Sequence, residues 1–228
     1  MKIIDMTNDP RRRQFELFRG FISPYASITV NCDITHLRQT VLENGWPFFL
    51  TVLYCAVNAA NDVPELRRRI RGDQVVEYET CISSHTVALP DDTYCYCRLD
   101  CAKPFEAYLP YAQAEVEKAK QSRSMDDGED PARLFFVSST PWFSFTSIGG
   151  PISDPPDSNV RITFGKFFEQ GDRILLPLNI CVHHALADGI HVARFYQNFE
   201  KRADEIVCRR CANEEMKTLT AFAHEGIG

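Results

Sequence analysis

Two adjacent histidines, His183 and His184, stand just ahead of Asp188 and Gly189. An imidazole that accepts a proton near neutrality suits general-base catalysis, typically worth about a hundred- to ten-thousandfold in rate. Before the pair, Leu176, Leu178, Ile180 and Val182 alternate with Pro177, Asn179, Cys181 and His183, the period of a strand with one face in a core. That alternation puts His184 on the apolar side and makes it the better candidate base, whereas His183 reads as a supporting group. Asp188 either fixes the turn by pairing with a distant group or caps a helix beginning at Gly189. No further ligands follow at metal-site spacing, so no metal is expected. Cys181 and His184 fall on opposite faces, which argues against a cysteine nucleophile served by that histidine.

Other reactive residue types carry weaker signals. Ser138 ends an apolar strand, where a serine commonly serves as a cap or turn group. Cys95 and Cys97 share one strand face and Tyr94 and Tyr96 the other, so the thiols either line a pocket or fill a core. Neither that C-x-C nor the solitary C-x-x-C of Cys208 and Cys211 has the second ligand pair of a zinc site.

The positioning elements follow from periodicity. Past Gly189, apolar Val192, Phe195, Tyr196, Phe199, Ala203 and Ile206 recur at helical spacing, so the histidines sit at a strand-to-helix corner. Near the N-terminus, Arg11, Arg12 and Arg13 open a short helix that ends at Gly20. The cluster is either solvated or sends one guanidinium to a buried carboxylate. Ile28, Val30, Cys32 and Ile34 form a strand, and Thr35 caps a helix closed by Gly45. Residues 47–61 are apolar almost all round, as in a helix buried between layers. The segments VVEYET, SSHTVAL and DDTYCYCRL read as neighbouring antiparallel strands. An amphipathic helix over residues 104–122 contains Pro110, and a strand follows with Leu134, Phe136 and Ser138 on one face. A loop rich in proline and glycine and a hairpin turning at residues 170–172 lead back to the histidines.

Composition bounds the rest. With 228 residues, 44% hydrophobic and 25% charged, the chain can bury a sizeable core as one main domain. There is no apolar run of about eighteen residues and no signal-peptide centre, so a cytoplasmic protein without membrane contact is expected. Nine cysteines, an odd number lying mostly within apolar segments, read as reduced thiols. A net charge of −6 without a basic face argues against nucleic acid and for small-molecule chemistry.

The run HHALADG resembles the HHxxxDG signature of the CoA-dependent acyltransferases. FFVSSTPWFSFTS, ITFGKFFEQGDRILLPL and VHHALADGIHVARF narrow the resemblance to the chloramphenicol acetyltransferases. Weaker matches through DVPELRRRI, VNCDIT and RRRQFELF extend it over residues 1–205, leaving residues 206–228 as a tail whose order the sequence leaves open.

The resemblance implies an α/β fold of CoA-dependent acyltransferase type: a two-layer sandwich with a mixed, largely antiparallel sheet. It further implies a homotrimer with active sites between subunits, acetyl-CoA as co-substrate and no metal. In that scheme His184 is the general base and the acceptor hydroxyl attacks the thioester directly. Ser138 donates to the oxyanion, Thr163 helps hold water, and Asp188 pairs with Arg11 to position the corner. Leu17, Phe18, Ile22, Cys95, Cys97 and Ile148 correspond to the acceptor pocket, and Trp142 and Phe167 to the CoA channel, although both aromatics also read as core. Residues 149–160 depart from the family, with glycines and prolines in place of an asparagine- and aromatic-rich segment. Chloramphenicol, and with it antibiotic resistance, is the first expectation for the acceptor. Another hydroxylated small molecule, or a trimeric binding protein without chemistry, are the alternatives; Ser138 and His184 argue against the second.

Overall fold

The computed structural model describes residues 1–153 and 155–225, with side chains through residue 208. The chain begins with β1 (Lys2–Ile4), α1 (Arg12–Phe18), β2 (Tyr25–Asp33), α2 (Thr35–Asn44) and α3 (Phe48–Asn61). It continues through β3 (Arg68–Arg71), β4 (Gln74–Glu77), β5 (Ile82–Ala88), β6 (Tyr94–Leu99) and α4 (Phe105–Ser122). Last come β7 (Leu134–Thr140), β8 (Arg161–Gly165), β9 (Phe168–Gln170), β10 (Arg173–His183) and α5 (Gly189–Glu225).

The alternating segments join one sheet in the order β2-β10-β8-β7-β5-β6, with β9 beside the start of β10. β7 runs parallel to both β5 and β8, and the remaining pairs are antiparallel. The parallel pairs need long crossovers: β6 and α4 intervene between β5 and β7, and an extended loop between β7 and β8. The result is a two-layer α/β sandwich with a mixed, largely antiparallel sheet.

One face of the sheet is apolar. Phe135, Val137, Ile162, Phe164, Leu176, Leu178, Ile180 and Val182 are all buried there, in one cluster with Val52, Leu53 and Ala56 of α3 and Phe195 and Phe199 of α5. Each such side chain contributes roughly 1.5–3 kcal/mol by leaving water. α3 packs between α4 and α5, which explains a helix apolar almost all round in a fold of only two layers. α5 continues without a break past residue 205. No helix among the described residues is long and apolar enough to cross a membrane.

Two local expectations are corrected. β4 does not extend the sheet of β5 and β6; it forms the centre of a separate three-stranded sheet, β1-β4-β3. Gly72, at φ +59°, turns β3 back on β4, and the N-terminal strand then pairs on the other side, Ile3 opposite Val76. At the start of α2 the capping oxygen comes from Asp33, not Thr35: Asp33 Oδ1 accepts the Thr35 backbone N–H at 3.0 Å, and Thr35 is already helical. Gly45, at φ +64°, closes that helix as expected.

The small sheet positions the corner. With α1 it encloses a second core of Phe15, Val75, Ala185 and Leu186, so the turn after the histidines is packed from both sides. The start of β7 is also fixed. Buried Arg69 donates to the carbonyls of Ala132 at 2.7 Å and Leu134 at 2.9 Å, and Asn159 Nδ2 donates to that of Leu134 at 2.9 Å. Those bonds anchor the end of β7 from which Ser138 is counted.

Candidate active site

At the end of β10 the chain leaves the sheet, and the His184 backbone N–H donates to the Pro24 carbonyl at 2.6 Å. The His184 ring stacks on Phe18, centroids 4.1 Å apart and planes 10° from parallel. Its Nδ1 lies 3.2 Å from the Ala187 carbonyl oxygen. A carbonyl can only accept, so Nδ1 is the donor in that contact, and in the neutral ring the lone pair then falls on Nε2. A neutral imidazole held in this tautomer can remove a proton from a hydroxyl at Nε2.

Arg11 ties the corner together. Its Nη1 pairs with Asp188 Oδ2, and its Nη2 donates to the His184 carbonyl at 3.2 Å. Burial pushes the Asp188 carboxyl up, but the hydrogen bond and charge of Arg11 outweigh it and hold the group below its ordinary value. Asp188 Oδ1 also lies 2.8 Å from His191 Nδ1, a contact in which that nitrogen donates to the carboxylate. Burial lowers the basicity of His191, and the carboxylates of Glu65 and Asp188 oppose that lowering. His183 is buried on the other strand face, edge-on to Tyr25 with ring centroids 5.7 Å apart, and burial depresses it to about 4.

Ser138 and Thr163 belong to a different place. In the ladder Ser138 pairs with Thr163, Thr163 with Asn179, and Asn179 with Thr29, so four polar side chains form one row. They stand on the sheet face opposite the helices. The Asn179 amide donates to Ser27 Oγ at 3.0 Å and Thr29 Oγ1 at 2.9 Å, which organises the β2 end of the row. Ser138 lies two strands from β10, and His184 lies five residues past Asn179. Strand spacings make that roughly 10 Å across and roughly 17 Å along, too far for one small substrate to touch both within one chain.

The histidine corner and the serine–threonine row thus stand at separate places in the chain. A family model of chloramphenicol acetyltransferases matches residues 1–200. The chain belongs to the chloramphenicol acetyltransferase family. Chloramphenicol acetyltransferase 2 of Escherichia coli is 30% identical over 213 residues, 90% of this chain and 97% of its own. The chloramphenicol acetyltransferase of Proteus mirabilis is 29% identical over 215 residues, covering 89% and 94%. A solved chloramphenicol acetyltransferase superposes with a TM-score of 0.79 at 28% identity, covering 89% of this chain and 99% of that one. A probable dihydrolipoamide acetyltransferase from Listeria monocytogenes, 18% identical, shares the fold at a TM-score of 0.63, covering 90% of this chain and 94% of that one. Membership of this family makes the protein an acyltransferase.

The residues expected to line an acceptor pocket separate into three groups. Phe18 lies on His184, with Leu17 and Ile22 exposed nearby in sequence, Ile22 at 97%. Ile148 crosses the open face, where its carbonyl accepts from Ser27 Oγ at 3.3 Å. Cys95 and Cys97 are corrected: both are buried in the main core, and the Cys95 thiol donates to the Ala119 carbonyl of α4 at 3.3 Å. The α4 backbone covers that side of β6, so Tyr94 and Tyr96, rings 6.0 Å apart, take the open face instead. Of the two expected CoA-channel aromatics, Trp142 is 73% exposed and therefore not core. Phe167 packs edge-on to Phe48, with the Arg38 guanidinium 5.1 Å from its centroid. Among the described residues no cluster of three or more potential metal-ligating side chains occurs. Cys208 is exposed on α5, and the side chain of Cys211 lies outside the described residues.

Sequence reasoning missed Tyr25, Phe136, Arg161 and Asn179 on the open face. The signal was available for two of them: Phe136 and Arg161 each precede a singled-out residue, Ser138 or Thr163, by two positions on the same strand face.

Proposed function

We propose that the protein transfers the acetyl group of acetyl-CoA to a hydroxyl of chloramphenicol, in a homotrimer whose active sites lie between subunits, and so gives resistance to that antibiotic in the cytoplasm. The separation of His184 from Ser138 within one chain carries this reading, because the two meet only if the corner of one copy faces the open sheet of the next. The exposed Leu17, Phe21 and Ile22 beside the corner support it, as apolar surface suited to being covered.

In this mechanism Nε2 of His184 takes the proton of the acceptor hydroxyl as its oxygen attacks the thioester carbonyl carbon. The carbonyl oxygen becomes an oxyanion, which accepts a hydrogen bond from the Ser138 hydroxyl of the neighbouring copy, with Thr163 beside it. Collapse reforms the carbonyl, expels the CoA thiolate, and returns the proton from the His184 imidazolium to sulfur. No acyl-enzyme forms.

Coenzyme A release with chloramphenicol tests the reading. His184→Ala is expected to lower kcat about a hundred- to ten-thousandfold and Ser138→Ala about a hundred- to a thousandfold. Denaturing and refolding the two inactive variants together at equal amounts should restore about one quarter of the sites, each with an intact histidine and an intact serine from different copies. No recovery on mixing would exclude a site shared between subunits, and full activity of His184→Ala would reject the base.

A further inference from the structure

Arg161 occupies the open face one residue pair along β8 from Thr163, roughly 7 Å away, with Phe136 and Cys181 as its cross-strand neighbours. Its guanidinium is nonetheless withdrawn from water, with only 19% of the side chain exposed, and is held in place by several groups. Nη2 pairs with Asp157 Oδ2 at 2.5 Å, and Nη1 donates to Asp157 Oδ1 and to the Asn159 carbonyl, each at 3.1 Å. The plane lies against two rings, 5.5 Å from the centroid of Tyr25 and 5.7 Å from that of Phe136. The Tyr25 hydroxyl donates to the Asp157 carbonyl at 2.6 Å, so the aspartate is fixed in turn. The three bonds to Asp157 and Asn159 use Nη1 and Nη2 and leave the Nε edge outside them. Burial disfavours both charges, yet their mutual attraction keeps Asp157 lowered and Arg161 raised, so the pair stays ionised.

We propose that Arg161 sets acceptor specificity: the edge of its guanidinium not used by Asp157 receives a hydrogen-bond-accepting group of the acceptor whose hydroxyl reacts beside Ser138, one residue pair along the same face. The ligand class is a hydroxylated small molecule with a neutral, dipolar acceptor such as a nitro, carbonyl or sulfonyl group. A carboxylate is disfavoured, because Asp157 already neutralises the site. A planar fork clamped by a carboxylate and set over two rings is preorganised, so little entropy is lost when it binds. The inference rests on the acetyl-transfer reading above for the place of the reacting hydroxyl.

The test compares chloramphenicol with its analogue carrying hydrogen in place of the nitro group. The variant is Arg161→Met combined with Asp157→Asn, which leaves no orphaned charge. The wild type should favour the nitro compound about tenfold in kcat/KM, the scale of one good hydrogen bond to a charged group, and the double variant should bring the ratio to about one. An equal loss for both compounds, the mark of a merely structural pair, or an unchanged ratio would overturn the assignment. Calorimetric Kd values read the same ratio without turnover. Absence of acetylation therefore rejects the transfer reading, while the Kd ratio still decides the role of Arg161.

Discussion

Arg11 makes two contacts that no single shorter cation could reproduce: one arm pairs with Asp188 and the other holds the His184 carbonyl. Lysine would keep the charge but offers one compact ammonium in place of a fork. Arg11→Lys is therefore expected to preserve most of the stability and lose much of kcat, as the histidine backbone is released. Asp188→Asn removes the charge of a pair whose aspartate is 30% exposed, so its cost should fall below that of a fully buried pair, at about 1–3 kcal/mol. Because the folded carboxyl is lowered, its stabilising effect is complete above the unfolded value of about 3.9 and is lost as pH falls through the folded value. Thermal melts and kcat of both variants check the pair. Equal loss of stability in the two, with kcat untouched in Arg11→Lys, would mean that the second arm does nothing for the histidine.

At the scale of elements, the end of β8 depends on a close approach. A Cβ on Gly165 would lie 2.9 Å from the Phe145 ring and 3.1 Å from the Phe143 carbonyl, which itself accepts the Lys166 backbone N–H at 2.9 Å. Gly165→Ala should therefore push the segment after β7 outward, at about 1–3 kcal/mol. Trp142 rides on that segment, and on the proposal that it contacts acetyl-CoA the KM for acetyl-CoA should rise more than kcat falls. A melt and KM equal to the wild type would show that the segment yields freely. The same scale explains what could be read from the sequence. Period-two alternation placed β10, and with it the core face of Leu176 to Val182, because that signal is local. It also separated the cysteines from the tyrosines of β6, but not which pair met the helices, since both faces are of middling polarity and α4 decides. β4 was misassigned because its partner β1 is some seventy residues away and no local pattern specifies that pairing. The separation of Ser138 from His184 follows from strand order, which alternation does not encode. Arg161 looked like an ordinary strand residue until the ladder set it beside the Ser138–Thr163 row.

For the molecule as a whole, the buried histidines set the response to acid. His85 faces the helix layer from β5, its ring 5.1 Å from Phe49, and burial alone depresses it to about 4. Its strand neighbours on the two sides are Cys97 and Val137, neither of which carries charge to offset that penalty. His183 is likewise lowered to about 4, chiefly by burial. In the unfolded chain both titrate near the ordinary value of about 6.5. Between those values the unfolded state binds protons that the native state refuses, so stability is complete above about pH 6.5 and declines as pH falls toward 4. Each histidine contributes a slope of up to about 1.4 kcal/mol per pH unit in that window. Leucine at position 85 keeps an apolar contact with Phe49 and has no proton to gain. His85→Leu should therefore remove one proton from the slope of unfolding free energy against pH between about 6 and 4.5, measured by denaturant titration at fixed protein concentration. An unchanged slope would mean that His85 is already protonated in the native protein, and the acid sensitivity would then fall to His183 and the other buried groups.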